Sequence, residues 1–144
     1  MERINIYKTN PKAYDGVFAL EKFIEGSPLN KKEISLIKMR ASQINGCAYC
    51  LNMHIKEAIK AGETLQRLHL LATWKDSNLF NEVEKLILEM TEEVTLIHRK
   101  GLIEATYQKA ISLFDEQTII AIIMTISTIN VWNRIAISTK LPID

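Results

Sequence analysis

Apolar residues return every three or four positions along most of this chain, a period that suits helices and little else. Tyr14, Val17, Phe18 and Ile24 form one stripe, and Ile34, Ile37, Ala41 and Ile44 a second. Val83, Ile87, Met90, Val94 and Ile97 make a third, and Ile103, Tyr107, Ala110 and Phe114 a fourth. Strict alternation of apolar and polar residues is missing, so a sheet is not expected. Three prolines and five glycines in 144 residues leave little to interrupt helices. Each stripe needs a neighbour to cover it. The expectation is one all-α domain spanning residues 1–144, with about six or seven helices around a common core.

Helix boundaries carry their own chemistry. Asn10 before Pro11 reads as the cap of a first helix, and Asn30 with Glu33 three residues on as a capping box opening a second. Gly62 is placed to close the helix that carries the cysteines, after which Thr64 can open the next. Asn78 and Asp115 are further candidate caps, and Gly101 separates two of the later helices.

Charge and composition exclude several classes. Lys and Arg number 18 against 17 Asp and Glu, a net charge of +1, with no basic block that would suit nucleic acid or an anionic membrane. The opening "MERINIYKTN" lacks the apolar core of a signal peptide, so a cytoplasmic location is expected. The most apolar run, "IIAIIMTISTI" at 119–129, is too short to cross a bilayer and reads as a core or subunit-interface helix.

Both cysteines and one of the three histidines fall within "INGCAYCLNMH", residues 44–54. On a helix Cys50 lies roughly 60° around from Cys47, and His54 within about 40° of both, so the three share a face. Gly46 and the polar residues before it place the helix start close to Cys47. Unpaired N–H groups and the positive dipole end there favour a thiolate. His54, one turn beyond Cys50, is placed to take that thiol's proton. Two cysteines three positions apart can also meet disulfide geometry. Three readings stay open: small buried hydrophobes, part of a zinc site that would need His69 or His98 from another helix, or a redox pair with accessible sulfurs. A thioredoxin-like fold is excluded because no βαβ pattern accompanies the motif.

The run "IKMRASQINGCAYCLNMHIKEAIKAGET", residues 37–64, resembles the core motif of the AhpD-like alkylhydroperoxidase and carboxymuconolactone decarboxylase family. "LLATWKDSNLFNEVEKLILEMTEEVTLI" and "TINVWNRIAIS" are similar to that family's later helices. The resemblance implies an AhpD-like all-α fold that assembles as a homo-oligomer, a trimer or hexamer, and needs no metal or cofactor. It implies a thiol-dependent peroxidase or disulfide reductase in antioxidant defence. Cys50 would attack an organic hydroperoxide or disulfide, His54 would be its proton partner and Cys47 the resolving thiol, and a lipoyl or thioredoxin-type dithiol protein would return the electrons. The alternative is a non-enzymatic thiol redox sensor or binding protein of the same fold. The family's decarboxylase branch generally lacks this cysteine pair, which argues against lactone chemistry.

One position departs from the peroxidase motif Glu-x11-Cys-x-x-Cys-x3-His. Where its glutamate would stand, this chain has Ser35, whose hydroxyl can pass a proton but is no base near neutral pH. Glu33 sits roughly 200° away around the helix, on the wrong face. Glu57 and Glu63 are nearby carboxylates with no reach to the thiols evident from spacing. Among the remaining residues, His98 reads as a cation at a helix end and His69 as a core or interface residue. Trp74 and Trp132 read as apolar anchors, Met39 and Met53 as core or pocket lining, and Asn130, Asn133 and Arg134 as partners in inter-helix or inter-subunit hydrogen bonds.

Overall fold

The capping signals identify most of the helices seen in the computed structural model, which describes residues 3–144. Among those residues there are eight α-helices and two short 3₁₀ segments, with no strand. A short α1 (Ile6–Thr9) precedes α2 (Asp15–Glu25), α3 (Lys31–Asn45) and α4 (Ala48–Lys60). Then follow α5 (Leu65–Leu70), α6 (Glu82–Thr95), α7 (Glu104–Leu113) and α8 (Glu116–Thr139). Met1 and Glu2, at the head of the segment read for a leader, lie outside the described residues.

Asn30 and Glu33 do form the capping box on α3, while Thr64 and Asp115 cap α5 and α8. Two expected caps move. Asn5 caps α1, and Asn10 makes no side-chain cap because Pro11 opens a 3₁₀ turn there. Asn81, not Asn78, opens α6, since only Asn81 has a glutamate, Glu84, at the reciprocal position of a capping box.

Helix α3 is the centre of the molecule and packs against α4, α6 and α8. Its residues Ser35, Leu36, Ile37, Lys38 and Met39 are all buried, so it is covered on every side. Ile37 joins Ile87, Met90, Ile122 and Ile126 in one apolar cluster, while Leu36 and Met39 join Leu71, Trp74 and Leu88 in another. Each such side chain contributes roughly 1.5–3 kcal/mol by leaving water. Covering a helix all round obliges its polar groups to find partners inside. Lys38 Nζ therefore meets both oxygens of Glu21 on α2, at 2.9 and 2.7 Å. Glu21 also accepts Trp132 Nε1 from α8 at 3.0 Å.

The apolar run near the C-terminus belongs to a longer helix than the run suggested. α8 is 24 residues, long and apolar enough by composition to cross a bilayer, yet half of its most apolar window is buried within the chain. Thr125, Thr128 and Asn133 are buried along it, so it serves as a core helix here.

Between α3 and α4 the chain reverses over Gly46, which has φ 71°, and Cys47 N–H bonds back to Ser42 O at 2.9 Å. That left-handed turn aims α4 and its first residue. No atom lies within 4 Å of a Cβ added at Gly46, so backbone strain alone opposes a side chain. Gly46→Ala should therefore cost about 1 kcal/mol and lower Tm by roughly 3 °C. An unchanged Tm by calorimetry would show that this turn is not under the constraint described.

Candidate active site

Cys47 is the N-cap of α4, and its Sγ accepts the backbone N–H of Cys50 at 3.4 Å. The two cysteines are free thiols with their Sγ atoms 2.7 Å apart. A disulfide measures about 2.05 Å, so small side-chain movements would close the bond. Ala41 of α3 and Ile129 and Ala136 of α8 pack around the pair, with Trp132 and Tyr49 beside them.

Neither sulfur is open to solvent. Cys47 is 2% and Cys50 1% exposed, against the expectation of accessible thiols. The reason is α8, whose residues close over the start of α4, a cover that no local reading of 44–54 contains. Burial, followed by the thiol of Cys47, pushes Cys50 up to about 12, and Asn133 draws it the other way.

His54 is buried on the same helix, but it is bonded to neither sulfur. Its Nδ1 lies 2.9 Å from Glu57 Oε2, one turn further along α4. Nδ1 is thus committed to the carboxylate, and Nε2 is the ring nitrogen left without that partner. Nε2 is buried with no hydrogen-bond partner among the described residues. The bond to His54 is the main cause holding Glu57 below the usual carboxylate range, helped by the charges of His54, Lys38 and Lys60 against the opposing effect of burial. Glu57 is thus a residue that spacing alone did not assign. The signal available was its place three residues beyond His54 on one helix.

Ser35 is buried at the edge of a cavity of about 350 Å³ where α2, α3 and α4 meet. Glu21, Ile24, Lys38, Glu57 and Lys60 share its lining. The position of the missing glutamate therefore opens on the same cavity as the carboxylate that holds His54.

Asn133 is wholly buried, donating to Ser42 Oγ at 3.1 Å and accepting from Asn45 Nδ2 at 2.8 Å. Asn45 also donates to Asn130 Oδ1 at 2.9 Å. These amides bond between helices as expected, while Arg134 is exposed and turns back to Asn130 on its own helix. Asn133 also faces Cys50, a proximity invisible in sequence across more than eighty positions.

The other candidates lie elsewhere. Glu63 pairs with Arg67, and Glu33 serves its cap. His69 is exposed on α5, and His98 is exposed in the turn after α6 rather than on the helix. Trp74 is an anchor as expected, its Nε1 donating to Glu92 at 2.7 Å. Met39 is core, while Met53 is partly exposed.

With both thiols covered, reagents should reach them only when the fold opens. A neutral disulfide reagent should react at least ~100-fold more slowly with the folded chain than with the chain in denaturant. Equal rates would mean that α8 does not seal the pair.

Comparison with known proteins agrees with this architecture. Residues 11–93 match the model of the carboxymuconolactone decarboxylase family. The uncharacterized protein YdfG of Bacillus subtilis is 36% identical over 137 residues, covering 95% of this chain and 93% of YdfG. A solved protein of unknown function from Agrobacterium tumefaciens, provisionally named an antioxidant defence protein AhpD, is 36% identical. It superposes with a TM-score of 0.95 over 100% of this chain and 99% of its own. The debrominase Bmp8, at 19% identity and a TM-score of 0.83 over 95% of this chain and 74% of its own, shares the fold. The match across more than half of the chain, together with a relative alike over nearly its whole length, means that this protein belongs to the carboxymuconolactone decarboxylase family, with an AhpD-like fold.

Proposed function

We propose that this chain is a thiol-dependent peroxidase or disulfide reductase that cycles Cys47 and Cys50 between dithiol and disulfide. The observation that carries the reading is the contact of two free thiols, 2.7 Å apart, at the start of a helix. In such a cycle an organic hydroperoxide is reduced to its alcohol and water while two thiols lose two hydrogens. A dithiol donor of the lipoyl or thioredoxin type then returns the pair to its reduced form. His54, oriented by Glu57, is the buried base on the same helix, and its unpartnered Nε2 is available to hold a proton. Sulfur chemistry is favoured over lactone decarboxylation because the reactive groups gathered at the start of α4 are the two thiols.

A second reading is favoured by the burial of both sulfurs. A non-enzymatic redox sensor would oxidise slowly, once per opening, without sustained turnover. Steady-state consumption of cumene hydroperoxide with dihydrolipoamide separates the two. The enzyme reading expects repeated turnovers that fall at least ~100-fold in Cys47→Ser and in Cys50→Ser, as loss of a nucleophilic residue does. Disulfide formation without multiple turnovers would instead support the sensor.

Ser35 sets a limit on rate in this reading. The cavity beside it leaves room for a longer side chain near Glu57 and Lys38. Ser35→Glu should raise the peroxidase rate by roughly tenfold if a carboxylate there restores general-base help. An unchanged or lower rate in the folded variant would count against the relay.

A further inference from the structure

The cover over the thiols is not held in the same way throughout. Ile129 and Ala136 are buried on α8, close to its backbone, and leave only if the helix leaves. Trp132 of the same helix packs against the cluster that contains both cysteines, yet it is partly exposed. With Tyr49 and Leu141 it forms the rim of that cluster, and it is the largest of the three. A side chain at a rim can swing to another rotamer while its helix stays in place.

What holds the indole is a directed bond with a soft backing. Nε1–H donates to Glu21 Oε1 on α2 at 3.0 Å. Lys38 fixes that carboxylate by donating to both of its oxygens, and Lys38 is itself buried on the central helix α3. The rings of Tyr14 and Phe18 meet the indole at centroid distances of 5.1 and 5.9 Å. Neither of those rings is buried, and Phe18 is 49% exposed, so both have solvent into which to give way. The bond to Glu21 is therefore the restraint that ties this part of the cover to the core. Breaking it frees one side chain and leaves the amide seam between α3 and α8 intact.

We propose that Trp132 is the gate to Cys47 and Cys50 and that Glu21, clamped by Lys38, is its latch. Rotation of the indole is the local opening that lets oxidant and reductant reach the sulfurs, with α8 still docked. The gate serves sustained turnover and one-time sensing alike. It therefore stands apart from the peroxidase reading, and its test reads access to the thiols, not turnover.

The test follows labelling of the folded, reduced chain by an excess of a neutral dipyridyl disulfide. Rotation of one side chain exposes little surface, so in the unaltered chain the rate should stay nearly flat in urea below the unfolding transition. A rate that climbs with the full slope of global unfolding would overturn the gate. Trp132→Phe keeps an aromatic ring but removes the N–H, and it should label at least about tenfold faster, the change that loss of one hydrogen bond to a carboxylate supplies. Trp74→Phe is the control. It removes an equivalent bond, from Trp74 Nε1 to Glu92 at 2.7 Å, in a different apolar cluster, and it should label at the unaltered rate. An unchanged rate in Trp132→Phe, or an equal rise in Trp74→Phe, would overturn the gate without bearing on peroxide consumption. If Trp132→Phe loses its cooperative unfolding transition, the urea dependence of the unaltered chain decides.

Discussion

A buried seam of amides between α3 and α8 governs the geometry of everything around the thiols. Asn133 sits wholly inside the protein, tied to Ser42 and Asn45, and Asn45 reaches Asn130 as well. An amide left without partners in such a place costs about 1–3 kcal/mol, so sliding α8 along α3 would break several bonds at once. Apolar contacts tolerate some slippage. These bonds do not, and they join the last turns of α3 to the helix that covers the site.

The consequences run from that seam into the turn at Gly46. Asn45 is the last residue of α3, Gly46 turns the chain, and Cys47 begins the next helix with its N–H bound to Ser42 O. Fixing Ser42 and Asn45 against α8 thus fixes where Cys47 can stand. The same docking brings Ile129, Trp132 and Ala136 over the thiols and shields them from water. One arrangement both positions the sulfurs and raises the cost of charging the inner one.

Much of this was legible in the chain itself. Helical spacing, the Asn30–Glu33 box, and the caps at Thr64 and Asp115 are local signals, decided within a turn or two, and they were readable for that reason. Asn10 and Asn78 misled because a cap needs more than a suitable side chain: Pro11 diverted the first into a 3₁₀ turn, and only Asn81 had its reciprocal glutamate. His69 follows an apolar pattern, and only the packing of its short helix turns it outward.

The sequence by itself determined that Cys47, Cys50 and His54 share one helical face and that the helix starts at Cys47, because both follow from spacing along a single helix. Tertiary structure alone decided that the thiols are covered, that Asn133 stands beside Cys50, and that Glu21 neutralises Lys38 within the core. It also decided which of the nearby carboxylates holds His54: Glu57 does so, while Glu63 is drawn to Arg67. The division has a physical reason. Spacing along one helix is set by backbone geometry, whereas burial and partner choice depend on which distant helix packs across it.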